Sequence, residues 1–164
     1  MRLLRNLRNK GLCHVHPFNL ALSNNSGVLT MRARNEELGD CTSTLLLPRS
    51  PESIDVLSVS WADWLRLVQP NPITFIKIDI EGAEFDLIPT MLDYLRMYKP
   101  VVHLSLHARF LPADQQRAAL DSIYGQLTSI YPDCLDEHLQ RLDLAGFHTA
   151  NQPPSPAVVF APAS

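Results

Sequence analysis

Cysteine is scarce in this chain and never paired in sequence. Cys13, Cys41 and Cys134 are the three cysteines in 164 residues, an odd number, widely spaced and without a CxxC pair. That excludes a disulfide framework and a cysteine-built zinc site. The expectation is a reducing, cytoplasmic compartment, with some of these thiols in the core. Long apolar runs are missing as well: nothing approaches the roughly 18–20 consecutive apolar residues that cross a bilayer. Neither sign of charge dominates, since 14 Lys and Arg face 17 Asp and Glu for a formal net charge of −3. Net charge therefore gives no reason to expect nucleic acid or an anionic membrane as partner. Glycine is sparse too, at positions 11, 27, 39, 82, 125 and 146, and none of these forms a glycine-rich loop. Internal repeats and low-complexity tracts are also lacking.

What remains is the composition of a globular domain, 46% hydrophobic and 19% charged, long enough for one domain with a real core. Arg2, Arg5, Arg8 and Lys10 crowd a Leu-containing N-terminus that has no signal-type apolar core behind it. It reads as an amphipathic helix over Arg2 to Lys10, stopped by Gly11. Strands are expected over His14 to Leu22 and Val28 to Ala33, joined by a turn at Ser23 to Gly27. A surface loop from Arg34 to Ser53 follows. Val56 to Ser60 alternates as a strand, Ala62 to Leu67 reads as a helix, and Pro70-Asn71-Pro72 ends it. Ile73 to Ile80 is β-branched and apolar, the pattern of a strand buried on both faces of a parallel sheet. Phe85 to Tyr98 reads as a helix, bent or restarted at Pro89. Val101 to Leu106 is the next buried strand. Ala113 to Tyr131 and Leu135 to Ala145 read as helices, and Phe147 to Ala150 with Ala157 to Ala161 as a closing antiparallel hairpin. Alternating helices and strands make this an α/β fold.

Ligands in such folds bind at the carboxyl ends of parallel strands. Here that rule selects Lys77 to Glu84 and His103 to His107. Strand alternation sets Lys77, Asp79 and Glu81 to one side and leaves Phe75 with the interior. Charged groups beside an apolar strand are costly unless paired or used, so Asp79 and Glu81 read as functional. Gly82 lets the backbone turn sharply or approach a ligand. Glu84 reads as a favourable charge at a helix N-terminus. His107 suits a general base or a metal ligand, because imidazole exchanges protons near neutral pH. His14, His16, His138 and His148 show no metal-ligand spacing, and Asp79 with Glu81 lacks a supporting His or Asp cluster, so no metal is expected. Trp61 and Trp64 read as packing residues.

The run Phe75-Ile76-Lys77-Ile78-Asp79-Ile80-Glu81-Gly82-Ala83-Glu84 resembles the signature IKIDVEGAE of FkbM-type methyltransferases. Leu4 to Leu12, Asn19 to Ser23, Val59 to Leu65 and Gly146-Phe147 resemble further segments of that family, so the likeness covers nearly the whole chain. The resemblance implies a Rossmann-like class I methyltransferase sheet using S-adenosylmethionine (SAM) to methylate a hydroxyl of a small molecule, sugar or lipid-like acceptor. It implies Asp79 and Ile80 near the methyl-donor end, Ala21, Leu22 and Ser23 by the adenine, and Lys77, Glu81, Gly82 and His107 on the acceptor side. Asp79 or His107 would then be the base for the hydroxyl proton.

The chain departs from the family twice. Ser105 stands where the family carries Glu, and the opening strand, its Gly-rich turn and a second, acid-ended strand have no counterpart. Residues 1–164 are thus expected to form a single, partial domain of the family, its sheet without two central strands and with two exposed edges. Such a chain is expected to fold imperfectly, to pair those edges in another way, or to be an incomplete sequence. The alternative, from a different class, is a non-catalytic remnant or interaction module that binds no SAM.

Overall fold

The computed structural model describes residues 2–32, 53–142 and 157–162. Leu3, Leu4 and Leu7 share one side of α1 (Arg2–Asn9), which ends as expected at a glycine in the left-handed region, Gly11 at φ +66°. The Leu12 N–H closes the end by donating to the Leu7 carbonyl (3.0 Å). The strand expected over His14 to Leu22 is only β1 (Ala21–Ser23). Residues 14–20 join no strand among the described residues, where Pro17 lacks a donor and the side chains stay exposed. β2 (Gly27–Arg32) and β3 (Ser53–Ser60) are antiparallel, and β1 runs parallel to β3, giving a sheet of order β1-β3-β2.

Ser60 turns β3 into α2 (Trp61–Val68). Its hydroxyl accepts the Asp63 N–H at 3.1 Å, and its own N–H donates to Ser26 Oγ at 2.9 Å. Ser26 Oγ in turn donates to the Asp63 carboxylate. One serine thus caps a helix and ties it to the β1–β2 turn. The hydroxyl bonds from Ser26 and Ser60 hold the Asp63 carboxyl below its usual range. Trp61 stacks on Trp64 (5.5 Å between ring centroids) and meets Tyr94 edge-on (5.2 Å), so both tryptophans pack, as their apolar neighbours suggest.

The second sheet has the order β4-β5-β7-β6, from β4 (Phe75–Ile78), β5 (Val101–Ser105), β6 (Asp133–Leu135) and β7 (Ala157–Ala161). β4 and β5 are parallel, whereas β7 is antiparallel to both neighbours. Among the described residues β4 is therefore an edge strand and not one buried on both faces. Ile76 and Ile78 turn inward, while Phe75 and Lys77 are exposed. Phe75, 57% accessible, does not stay with the interior: positions 75 and 77 share a face, as a period of two requires.

α3 (Glu84–Tyr98) and α4 (Gln116–Thr128) cover this sheet. Ile88, Met91 and Leu95 from α3 and Ile123, Tyr124 and Leu127 from α4 bury against Val102, Leu104, Val158 and Phe160. Each such side chain contributes about 1.5–3 kcal/mol on burial. Pro89 sits inside α3 without dividing it, since the ring removes one helical hydrogen bond and tertiary packing holds the rest. The helix expected from Leu135 is absent over Leu135 to Leu142. Leu135 closes β6, and the Asp136 carboxylate accepts the N–H groups of His138 and Gln140 (both 2.8 Å), fixing a turn. β7 forms as expected, although its partners are β5 and β6. The loop over 34–53 and the strand over 147–150 lie outside the described residues, except Ser53, which opens β3. The result is an α/β fold with four α-helices and two sheets among the described residues. No described helix is long and apolar enough to cross a membrane.

Candidate functional site

Parallel pairing of β4 with β5, with Lys77 opposite His103, carries the two loops that follow these strands to the same end of the sheet. Both segments selected from the sequence therefore meet. The loop after β4 is tight: Glu81 has φ +53° and Gly82 φ +103°. Glycine takes that conformation freely, whereas Glu81 holds it at a cost of about 1–2 kcal/mol. The reversal swings the Glu81 carboxylate toward the loop after β5.

Glu84, the first residue of α3, turns its side chain back into this loop. One oxygen accepts the Ile80 N–H at 3.0 Å, and the other accepts the Gly82 N–H at 2.9 Å. The side chain is fully buried. Its third partner is His107, whose Nδ1 lies 2.9 Å from Glu84 Oε1. An ionised carboxylate only accepts, so with Glu84 ionised Nδ1 carries a proton, and in the neutral ring Nε2 presents its lone pair on the other side. That atom stands 3.7 Å from Asp79 Oδ1 and 3.8 Å from Glu81 Oε1.

The outer oxygens of these two carboxylates face cations. Lys77 Nζ donates to Asp79 Oδ2 at 2.9 Å, and Arg109 Nη2 lies 3.5 Å from Glu81 Oε2. The hydrogen bond from the Lys77 ammonium holds the Asp79 carboxyl below the usual carboxylate range. Three carboxylates thus surround one imidazole, with two side-chain cations on the outside. Asp79, Glu81 and His107 each aim one ligand-type atom at a common space, all three within 4.8 Å of one another.

A cleft of about 730 Å³ opens beside this cluster, between the two sheets. Leu20, Ala21 and Leu22 form one wall, and Asp79, Ile80 and Glu81 the other. Of the residues implied for a cofactor, Ala21, Leu22, Asp79 and Ile80 line this space. Ser23 does not; it is buried, with its hydroxyl donating to Asn24 Oδ1 at 3.2 Å. Lys77, Gly82 and His107 are not among the residues that line it, but each is bonded to a group within the cluster.

Sequence reasoning missed Glu84 as part of this assembly, and Arg109 with it. The signal for Glu84 was local. A strand that runs into a helix within five residues leaves backbone donors at 80 and 82 in need of an acceptor, and Glu84 is within reach. Arg109 gave no signal, since only the fold brings it to Glu81. The histidine that Asp79 and Glu81 lacked in sequence is supplied by His107 across the strand pair.

Compared with known families, residues 6–148 match the Methyltransferase FkbM domain. No curated protein and no solved structure matches the chain.

Proposed function

The chain belongs to the FkbM methyltransferase family, and on that premise we propose that it transfers a methyl group from SAM to a hydroxyl of a small-molecule, sugar or lipid-like acceptor. The observation that carries this reading is the buried Glu84–His107 pair, which directs Nε2 toward Asp79 and Glu81 at the mouth of a cleft. We read the two sheets as flanks of one Rossmann-like sheet, because β1 and the loop that follows β4 line the same cleft. On this reading residues 1–164 act as a single domain.

The cleft suits the cofactor. Its volume falls in the range of small-molecule sites; Leu20, Leu22 and Ile80 suit an adenine, and the Asp79 and Glu81 carboxylates suit a sulfonium cation. Ala21, Leu22, Asp79 and Ile80 would hold it, with Ser23 supporting the first two from beneath. When bound, SAM supplies an electrophilic methyl group whose carbon–sulfur bond breaks as the new carbon–oxygen bond forms. The protein's part is to align the acceptor oxygen and take its proton. A hydroxyl seated beside His107 Nε2 donates its single hydrogen there, its proton passes to Nε2 as the carbon–oxygen bond forms, and the nearby Asp79 and Glu81 carboxylates favour the positive charge that results. Glu84 stabilises the imidazolium so formed, and Lys77 keeps Asp79 ionised. Gly82 supports the acceptor side by letting the loop turn tightly.

Equilibrium dialysis of the purified chain against radiolabelled SAM tests this reading. Saturable binding that Asp79→Ala abolishes supports it. Absence of binding by a chain shown to be folded would sink it in favour of a non-catalytic interaction module.

A further inference from the structure

We propose that Asp79, Glu81 and His107 form a binding site for a divalent first-row cation, and that this cation seats the acceptor oxygen. The inference rests on the methyl-transfer reading for the acceptor, although the cation site itself stands on geometry alone.

Three features carry it. The first is ligand geometry. Asp79 Oδ1, Glu81 Oε1 and His107 Nε2 converge from two loops, with Nε2 at 3.7 and 3.8 Å from the two oxygens. Ligand atoms around a cation at about 2.1 Å stand about 3.0–3.4 Å apart, so both Nε2-to-oxygen spacings must shorten by roughly 0.3–0.8 Å and the two oxygens, which lie within 4.8 Å of each other, must close to the same spacing. The second is the tautomer. A metal-ligating imidazole is oriented by a hydrogen bond from its other nitrogen, commonly to a carboxylate. His107 has that bond already, to a Glu84 that is fully buried and anchored by two backbone N–H groups. The third is charge. Asp79, Glu81 and Glu84 bring three carboxylates to one imidazole, against the two cations Lys77 and Arg109. These cations sit on the outer oxygens and leave the inner ones facing Nε2.

One imidazole with two carboxylates suits Mn²⁺ or Zn²⁺ better than an all-oxygen site suits them. Three protein ligands leave positions for water or for the acceptor, and an acceptor with two neighbouring oxygens fits best because both can bind. With the cation present Nε2 is a ligand. The bound hydroxyl then becomes more acidic, and its proton is released to solvent.

The test is titration of the full chain with MnCl₂ alone, following loss of the free Mn²⁺ signal by electron paramagnetic resonance. One saturable site per chain is expected. Asp79→Asn and Glu84→Gln should each weaken it by about 10–100-fold, with circular dichroism confirming the fold. Lys77→Ala, at an exposed position, should tighten binding, because it removes the ammonium that competes for Asp79. No saturable site up to about 10 mM Mn²⁺, or a site indifferent to Asp79→Asn, overturns the proposal. Dialysis with SAM on the same preparation separates the two readings. Mn²⁺ binding without SAM binding leaves the cation site standing and removes the methyl transfer. SAM binding without Mn²⁺ binding does the reverse.

Discussion

Glutamine at position 84 is the sharpest probe of the structure. Glu84 is fully buried and accepts from the Ile80 N–H, the Gly82 N–H and His107 Nδ1 at 2.9–3.0 Å. Glu84→Gln keeps the shape but replaces one acceptor oxygen by a donor. If the amide oxygen serves Ile80 and His107, the amide NH₂ faces the Gly82 N–H, donor against donor. A hydrogen bond to a charged group contributes about 1.5–3 kcal/mol, and a buried donor left unpaired adds a penalty of similar kind. The expected loss is about 2–4 kcal/mol. For a chain of this length each kcal/mol lowers Tm by about 2–4 °C, so the variant should melt roughly 5–15 °C below the parent. Urea denaturation should show a lower midpoint with an unchanged slope. Because Glu84 and His107 share one bond, Glu84→Gln and His107→Ala should be non-additive by at least about 0.5 kcal/mol in a double-mutant cycle. A Glu84→Gln variant within about 0.5 kcal/mol of the parent would refute an ionised, triply bonded Glu84, and the fixed tautomer of His107 would fall with it.

Three further outcomes are expected. Ser60→Ala removes the cap of α2 and should cost about 1 kcal/mol by urea denaturation; no measurable change would mean that Ser26 and Asp63 hold the helix start unaided. Leu104→Ala, at a fully buried site, should cost about 2–5 kcal/mol. Phe75→Ser, on the exposed face of an edge strand, should cost under about 1 kcal/mol, and equal losses from both would contradict the placing of β4. Burial pushes the thiol of Cys134 and the phenol of Tyr131 each up to about 12. Folding therefore favours their protonated forms, so the stability they contribute is complete below about pH 9 and is lost as pH rises toward about 12. Cys134→Val should make that alkaline loss shallower by up to about 1.4 kcal/mol per pH unit, read from urea midpoints between about pH 8 and 11.

Much of the fold was legible because local chemistry agreed with tertiary need. Gly11 as a helix stop and Val101 to Leu106 as a strand each say the same thing at both levels. The misreadings arose where the two parted. Ile73 to Ile80 has the composition of a central strand, yet composition does not record which neighbours flank it, and among the described residues β4 has one. Leu135 to Ala145 reads as a helix, but over its described part Asp136 captures backbone donors and β7 pairs with Leu135. At the site, Asp79, Glu81 and His107 were readable from strand ends. Their convergence was not, since it depends on the register that sets Lys77 beside His103. Glu84 was visible as a charge at a helix start, a description that fits its place but misses the bonds it makes.

The left-handed backbone at Glu81 has a practical consequence for anyone engineering this chain. A library screened only for thermal resistance should favour glycine at 81, which relieves the backbone at little steric cost. The same change deletes a carboxylate that faces His107. On the proposed reading of the site, position 81 is thus one where robustness and chemistry ask for different residues.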